Sequence, residues 1–216
     1  IGILIALMGV KQNGVGQYVD TSMLDGAVSW LPVLANDYFV KGVSPKAAEN
    51  ILNGQNACYE VYETADGRYI SIGAIEPHLW ANFCDAIGKE EFKLWQRDLT
   101  KQDEMFACLR EMFKSKTQAE WIEKLTGVDC CWAPVKNLEE VFADPQVLAR
   151  DMVYEMTDPA GCYGSVKMIG SAVKLSETPA RQELFPPRKG EHNAEYLKAV
   201  GYSDEQIAEF EKNGII

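Results

Sequence analysis

The stretch YISIGAIEPHLW, residues 69–80, carries the reading of the fold. Residues 69–75 are rich in β-branched and aromatic side chains and follow the turn Ala65-Asp66-Gly67. They predict the second strand of a hairpin whose first strand is 59–64. The strand stops at a carboxylate, Glu76. Pro77 then suits the first turn of a helix carrying Leu79, Trp80, Phe83 and Ile87 on one face. A carboxylate at a strand-to-helix junction sits near the positive end of the helix dipole, held by rigid elements on both sides. Two readings stay open for Glu76: a proton-handling group, or a cap of the helix. By strand parity it leaves the sheet on the face of Ile70, Ile72 and Ala74, where Pro77 redirects the chain, which places it in a cleft rather than in bulk solvent.

Upstream, 1–12 reads as a helix with a glycine-rich exit at 13–16, and 17–21 as a short strand. Ser22 is placed to cap a long helix reaching about Lys41, with a kink or break at Pro32. Residues 42–56 show no periodicity and read as a linker. Downstream of 69–80, Gly88 ends the helix, and apolar residues at helical spacing mark 103–115. Thr117 to Glu120 is a capping-box pattern. A short buried strand at 130–135 follows, then a helix capped by Asn137 and interrupted at Asp144-Pro145. Strands at 153–156 and 165–169 flank a turn, 179–189 is an extended proline-rich return, and two short helices close the chain, the second capped by Ser203.

With 216 residues, 47% of them hydrophobic and 25% charged, the composition is that of an ordinary globular protein able to bury a sizeable core. The formal charge of −11 argues against nucleic acid and against an anionic membrane surface as partners. The apolar opening IGILIALMGV is too short to span a bilayer and reads as a buried helix. Six cysteines lie without CxxC or zinc spacing, and there are only two histidines, so no metal site is expected. Reduced thiols in a cytoplasmic protein are the default.

Four stretches in order carry a resemblance: GQYVDTSMLDG at 16–26, YEVYETADGRYISIGAIEPHLWANFCDAIG at 59–88, DCCWAPVKNLEEVFADPQVLARDM at 129–152, and GEHNAEYLKAVGYSDEQIAEFEKNGII at 190–216. Together they resemble the class III CoA-transferase (CaiB/BaiF) family, and within it the α-methylacyl-CoA racemase branch. The resemblance implies an α/β fold: part of a Rossmann-like large domain plus a small α+β domain, in the interlocked-dimer architecture of that family. On this reading 1–42 ends the first part of the large domain, 43–57 is a linker, 58–152 is the small domain, and 153–216 returns to pack its closing helices on the large domain. The resemblance also implies that the chain is a C-terminal portion. The family's upstream half carries most CoA-binding groups, an Asp that acts as nucleophile or acid/base, and, in racemases, a His.

The implied substrate is an acyl-CoA thioester, with no separate cofactor. The implied partner is a second copy of the chain or the N-terminal half. Glu76, in GAIEP, is the one position matching a racemase proton-handling residue. Asn53, Gly54, Gln55 and Asn56 lie where transferase relatives carry a glycine-rich loop over the active site. One glycine among three amides departs from that pattern and leans toward the racemase; a plain linker turn is the other reading. Racemase relatives commonly show Gln where this chain has His78, so His78 reads as a surface or supporting residue. Asp25 and Asp20 read as structural. Arg188-Lys189 reads as solvated charge or as a phosphate contact. Three functions follow: a 2-methylacyl-CoA racemase, a transferase working through an aspartyl-CoA thioester, or an inactive dimerisation and lid fragment.

Overall fold

The structure is a computed structural model that describes residues 1–180 and 184–216. It divides into two compact units, Ile1–Val135 and Lys136–Ile216.

The first unit opens with three helices, α1 (Gly2–Asn13), α2 (Met23–Ser29) and α3 (Pro32–Lys41). Gly14 ends α1 in the left-handed conformation, its N–H bonded to the Val10 carbonyl. The Ser22 hydroxyl accepts the Asp25 N–H, capping α2. The break expected at Pro32 is present, with Pro32 as the first residue of α3. The strand expected at 17–21 is not. Those residues pair with no strand, and a β conformation needs a ladder partner to satisfy its backbone. Ile1, which precedes α1, and Ile3, Leu4, Ile5, Leu7 and Met8 on it are exposed, and within α1 Ala6 alone is buried.

After the irregular stretch 42–58 come β1 (Tyr59–Glu63) and β2 (Tyr69–Gly73), antiparallel, with Tyr59 opposite Gly73 and Tyr62 opposite Ile70. β3 (Trp132–Pro134) pairs on the other side of β2, so β2 is central. Between β2 and β3 run α4 (Pro77–Ile87), the short α5 (Phe92–Trp95), α6 (Gln102–Lys114) and α7 (Gln118–Leu125). Thr117 forms the expected reciprocal cap with Glu120. Among the described residues, the helix that the sequence pattern did not signal is α5, whose four residues are too few to show a period.

Strand alternation sorts the sheet into two faces. Tyr62, Ile70 and Ile72 point inward and are buried, as is Ala74 just past the strand. They meet Trp80 and Phe83 of α4, Leu109 and Phe113 of α6, and Trp121 and Leu125 of α7 in one core cluster. Phe113 is the hub, with its ring centroid 4.7 Å from that of Tyr62, 4.5 Å from Trp121 and 6.3 Å from Phe83. The polar edges of the large aromatics are satisfied. Trp80 Nε1 donates to the Phe92 carbonyl at 2.7 Å, Trp121 Nε1 to that of Phe113 at 3.0 Å, and the Tyr62 hydroxyl to that of Ala57 at 2.7 Å.

The second unit holds α8 (Leu138–Ala143), α9 (Pro145–Ala149), the hairpin β4 (Val153–Thr157) and β5 (Ser165–Ile169), then α10 (Asn193–Ala199) and α11 (Asp204–Lys212). Asn137 and Ser203 make the caps expected of them, each as a reciprocal capping box with the residue three positions on, and Asp144-Pro145 separates α8 from α9. Beyond β5, a Cβ on Gly170 would overlap the Asp151 carbonyl oxygen, so only glycine lets the chain pass there. The expected extended return over 179–189 lies partly outside the described residues; no helix or strand occupies the remainder.

Candidate functional site

The site is built around the point where β2 ends. The ladder runs to Gly73, whose N–H donates to the Cys131 carbonyl at 2.7 Å, and Ala74 N–H donates to Cys58 at 2.9 Å. Pairing then stops, and Ile75 N–H turns back onto the Gly73 carbonyl at 3.0 Å. This tight turn breaks the alternation of the strand. Glu76 therefore leaves the buried face and is exposed at the surface of the chain, along with Pro77 and His78. The cleft expected for it is one shared with the half that lies outside this chain, and exposure within the chain alone is compatible with that placement.

Glu76 occupies the N-cap position of α4 in extended conformation, φ −69° and ψ 135°, but its side chain makes no capping hydrogen bond. Its backbone carbonyl accepts the Trp80 N–H at 3.1 Å. Short side chains cap from this position, whereas the longer glutamate reaches past the first turn. Its mount is rigid on both sides. Behind it, Gln96 Nε2 donates to the Ala74 and Ile75 carbonyls at 3.0 and 2.8 Å. Ahead of it, Pro77 begins the helix that buried Leu79 and Trp80 anchor.

The outer face of the sheet is open. Tyr59, Val61, Ser71, Gly73 and Ala133 floor a groove of about 480 Å³, with Asn53 and Gly54 on its wall. A Cβ on Gly73 would make only ordinary van der Waals contacts, 3.5 Å from the Cys131 carbonyl and 3.7 Å from the Tyr59 ring. Glu76 is not among the residues lining this groove. The four loop residues separate. Asn53 and Gly54 line the groove, Gln55 lines a second depression with Ala48 and Arg110, and Asn56 is buried. Gly54 holds the turn at φ +78°, and its neighbour Gln55 donates its N–H to the Asn50 carbonyl at 3.3 Å.

The other candidates belong to other segments of the chain. Asp20 and Asp25 are exposed near α2. Arg188 lies in the second unit with its guanidinium 3.6 Å from the Asp158 carboxylate, which is itself buried. That ion pair opposes its use as a phosphate contact. Burial pushes the Asp158 carboxyl up, but the N–H groups of Ala160, Tyr163 and Cys162 and the Arg188 charge outweigh it and hold it below the usual carboxylate range. Among the described residues no group of three or more His, Cys, Asp or Glu is arranged to hold a metal ion, and no helix is long and apolar enough to cross a membrane. Sequence reasoning missed Gln96 and Gln102. Their partners lie up to 45 residues away, so no local pattern marks them.

A family model described as CoA-transferase family III matches residues 1–193. The chain belongs to this family. It is 33% identical over 220 residues to an acyl-CoA transferase of Fusarium pseudograminearum, covering 99% of this chain and 48% of that protein. It is 31% identical over 218 residues to the α-methylacyl-CoA racemase of Mus musculus, covering 100% of this chain and 56% of that protein. A crystal structure of a CaiB/BaiF family protein from Brucella suis superposes with a TM-score of 0.70 at 24% identity, covering 92% of this chain and 52% of that one. The fold is thus the mixed α/β arrangement of the CaiB/BaiF proteins. The chain spans about half the length of the curated relatives it matches. Family III here includes relatives of both kinds, racemase and transferase.

Proposed function

We propose that this chain is the C-terminal part of a 2-methylacyl-CoA racemase, in which Glu76 is one of two acid/base groups. The observation that carries the reading is the side chain of Glu76: exposed, fixed at its root, at a helix N-terminus, and not used as a cap. Racemisation at the carbon α to a thioester needs one group to remove the proton and another to return it from the opposite face. As the proton leaves, charge develops on the thioester oxygen and requires hydrogen-bond donors. The second acid/base group and most of the coenzyme A contacts are supplied by the half that the longer relatives carry. The acidic charge of this chain fits that division, since a polyanionic coenzyme is better held by the other part. The uncovered apolar residues of α1 fit it too, because a patch of that kind marks an interaction site. A second copy of the chain or the complementary half covers it, and sedimentation that gives a well-behaved monomer would contradict this.

The test is exchange of the α-proton of a chiral 2-methylacyl-CoA in deuterated water. The chain alone is expected to show none. In an active assembly containing the chain, Glu76→Gln should slow exchange by about 10²–10⁴-fold, the usual worth of a general base. The thermal midpoint should hold, since exposed substitutions away from special features change stability by about 0.5 kcal/mol or less. A second reading is supported by the relative named as an acyl-CoA transferase. Under it the assembly moves coenzyme A between carboxylic acids, and Glu76→Gln leaves that transfer intact. A Gln variant that loses stability and keeps its rate would make Glu76 a structural residue.

A further inference from the structure

Three buried amide side chains join the groove loop to the root of Glu76. Asn56, Gln96 and Gln102 are 3%, 6% and 5% exposed. Gln96 Nε2 donates to the carbonyls of Ala74 and Ile75, the two residues directly before Glu76. These are the acceptors left over where the β2 ladder stops. The backbone carbonyl of Gln96 in turn accepts from Asn56 Nδ2 at 3.2 Å and from Gln102 Nε2 at 3.3 Å. Gln102 Oε1 accepts the Ala57 N–H at 2.9 Å, and its Nε2 also donates to Asp98 at 2.9 Å. Loop 53–56 and Glu76 are thus tied to one residue, from opposite ends of its hydrogen-bonding capacity. Neither end has water to fall back on, because the Ala74 and Ala57 backbones are fully buried.

We propose that Gln96 is a positioning residue: it holds the loop on the wall of the groove and the carboxylate of Glu76 in a common register, so that one does not move without the other. This rests on the reading of Glu76 as an acid/base group. The same unit contains a control. Gln118 is equally buried, at 4%, and its Nε2 also donates to two backbone carbonyls, Tyr69 at 2.7 Å and Val135 at 3.2 Å. It clamps the opposite end of β2. If a buried glutamine in this sheet only stabilises, the two should behave alike.

The experiment compares Gln96→Met with Gln118→Met, each removing both donors at similar volume. In an active assembly, Gln96→Met is expected to lower kcat for α-proton exchange at least tenfold. Gln118→Met, at a similar loss of unfolding midpoint, should stay within twofold. Equal losses of kcat overturn the proposal. A second measurement needs no activity. Without its side-chain anchor the Gln96 backbone carbonyl that holds Asn56 and Gln102 is free to shift, so in the 216-residue chain amide exchange at Gln55, Ala57 and Ile75 should rise together at least tenfold in Gln96→Met and remain unchanged in Gln118→Met. Retained protection at Gln55 and Ala57 in Gln96→Met also overturns it. If Glu76→Gln keeps its full rate, the acid/base reading falls by itself, and the exchange measurement alone decides whether Gln96 couples loop and strand end.

Discussion

Replacing Phe113 with alanine should strongly destabilise the part of the molecule that carries Glu76. Phe113 is fully buried near the end of α6, and its ring meets those of Tyr62, Phe83 and Trp121. Tyr62 belongs to β1 and Trp121 to α7, so the ring joins the hairpin to the helical layer. Losing the transfer of a buried phenyl side chain costs about 1.5–3 kcal/mol. The neighbours are large rings held by hydrogen bonds at Tyr62 and Trp121, and they do not collapse into the gap. A residual void of roughly 100 Å³ at about 24 cal/mol per Å³ adds about 2.4 kcal/mol. The sum, about 4–5 kcal/mol, is comparable to the whole stability of a marginal domain. Phe113→Leu keeps most of the volume and should cost about 1.5 kcal/mol. The exposed Leu94→Ala should cost about 0.5 kcal/mol or less. Urea unfolding, followed by tryptophan fluorescence with Trp80 and Trp121 inside this core, measures all three. A cost for Phe113→Ala below about 2 kcal/mol would refute its place at the hub.

Two further outcomes follow from the burial of ionisable groups. Cys130 is fully buried with its thiol pushed up to about 11, first by desolvation and then by Cys131 and Asp129, while the adjacent Cys131 is exposed. Iodoacetamide on the folded protein should therefore label Cys131 and spare Cys130 and Cys84, whose thiol burial raises to about 12; peptide mapping that finds Cys130 modified as fast as Cys131 contradicts the placement of this strand. Asp158 has a folded value below its unfolded one, so its contribution to the 158–164 turn is complete above about pH 4 and is lost as pH falls through the folded value. The amide signals of Ala160, Cys162 and Tyr163 should titrate together with a midpoint below about 4 and cease to do so in Asp158→Asn; a midpoint above that contradicts the three N–H bonds.

Much of the fold was legible because its signals are local. The caps at Ser22, Thr117, Asn137 and Ser203, the stop at Gly88 and the break at Pro32 each depend on residues within one turn of one another. The hairpin was legible for the same reason: an alternating run, a turn, and a second alternating run. What the sequence by itself determined, then, is where elements begin and end and which face of each is apolar. The segment 17–21 shows the limit. Its residue types suit a strand, but a strand is completed by hydrogen bonds to another chain segment, and no described residue supplies them. The site shows the same limit. The GAIEP motif marked Glu76 and parity directed it to a cleft against the complementary half, but parity holds only while the strand stays regular. The ladder ends at Gly73, and that end is set by β1 and β3 on either side of β2. Only tertiary structure could decide that Glu76 is exposed, that Asn53 and Gly54 wall an open groove while Asn56 is buried, and that Gln96 holds both. Each of these rests on backbone carbonyls brought together across more than twenty residues by the burial of one aromatic core, and no pattern along the chain encodes such a contact directly.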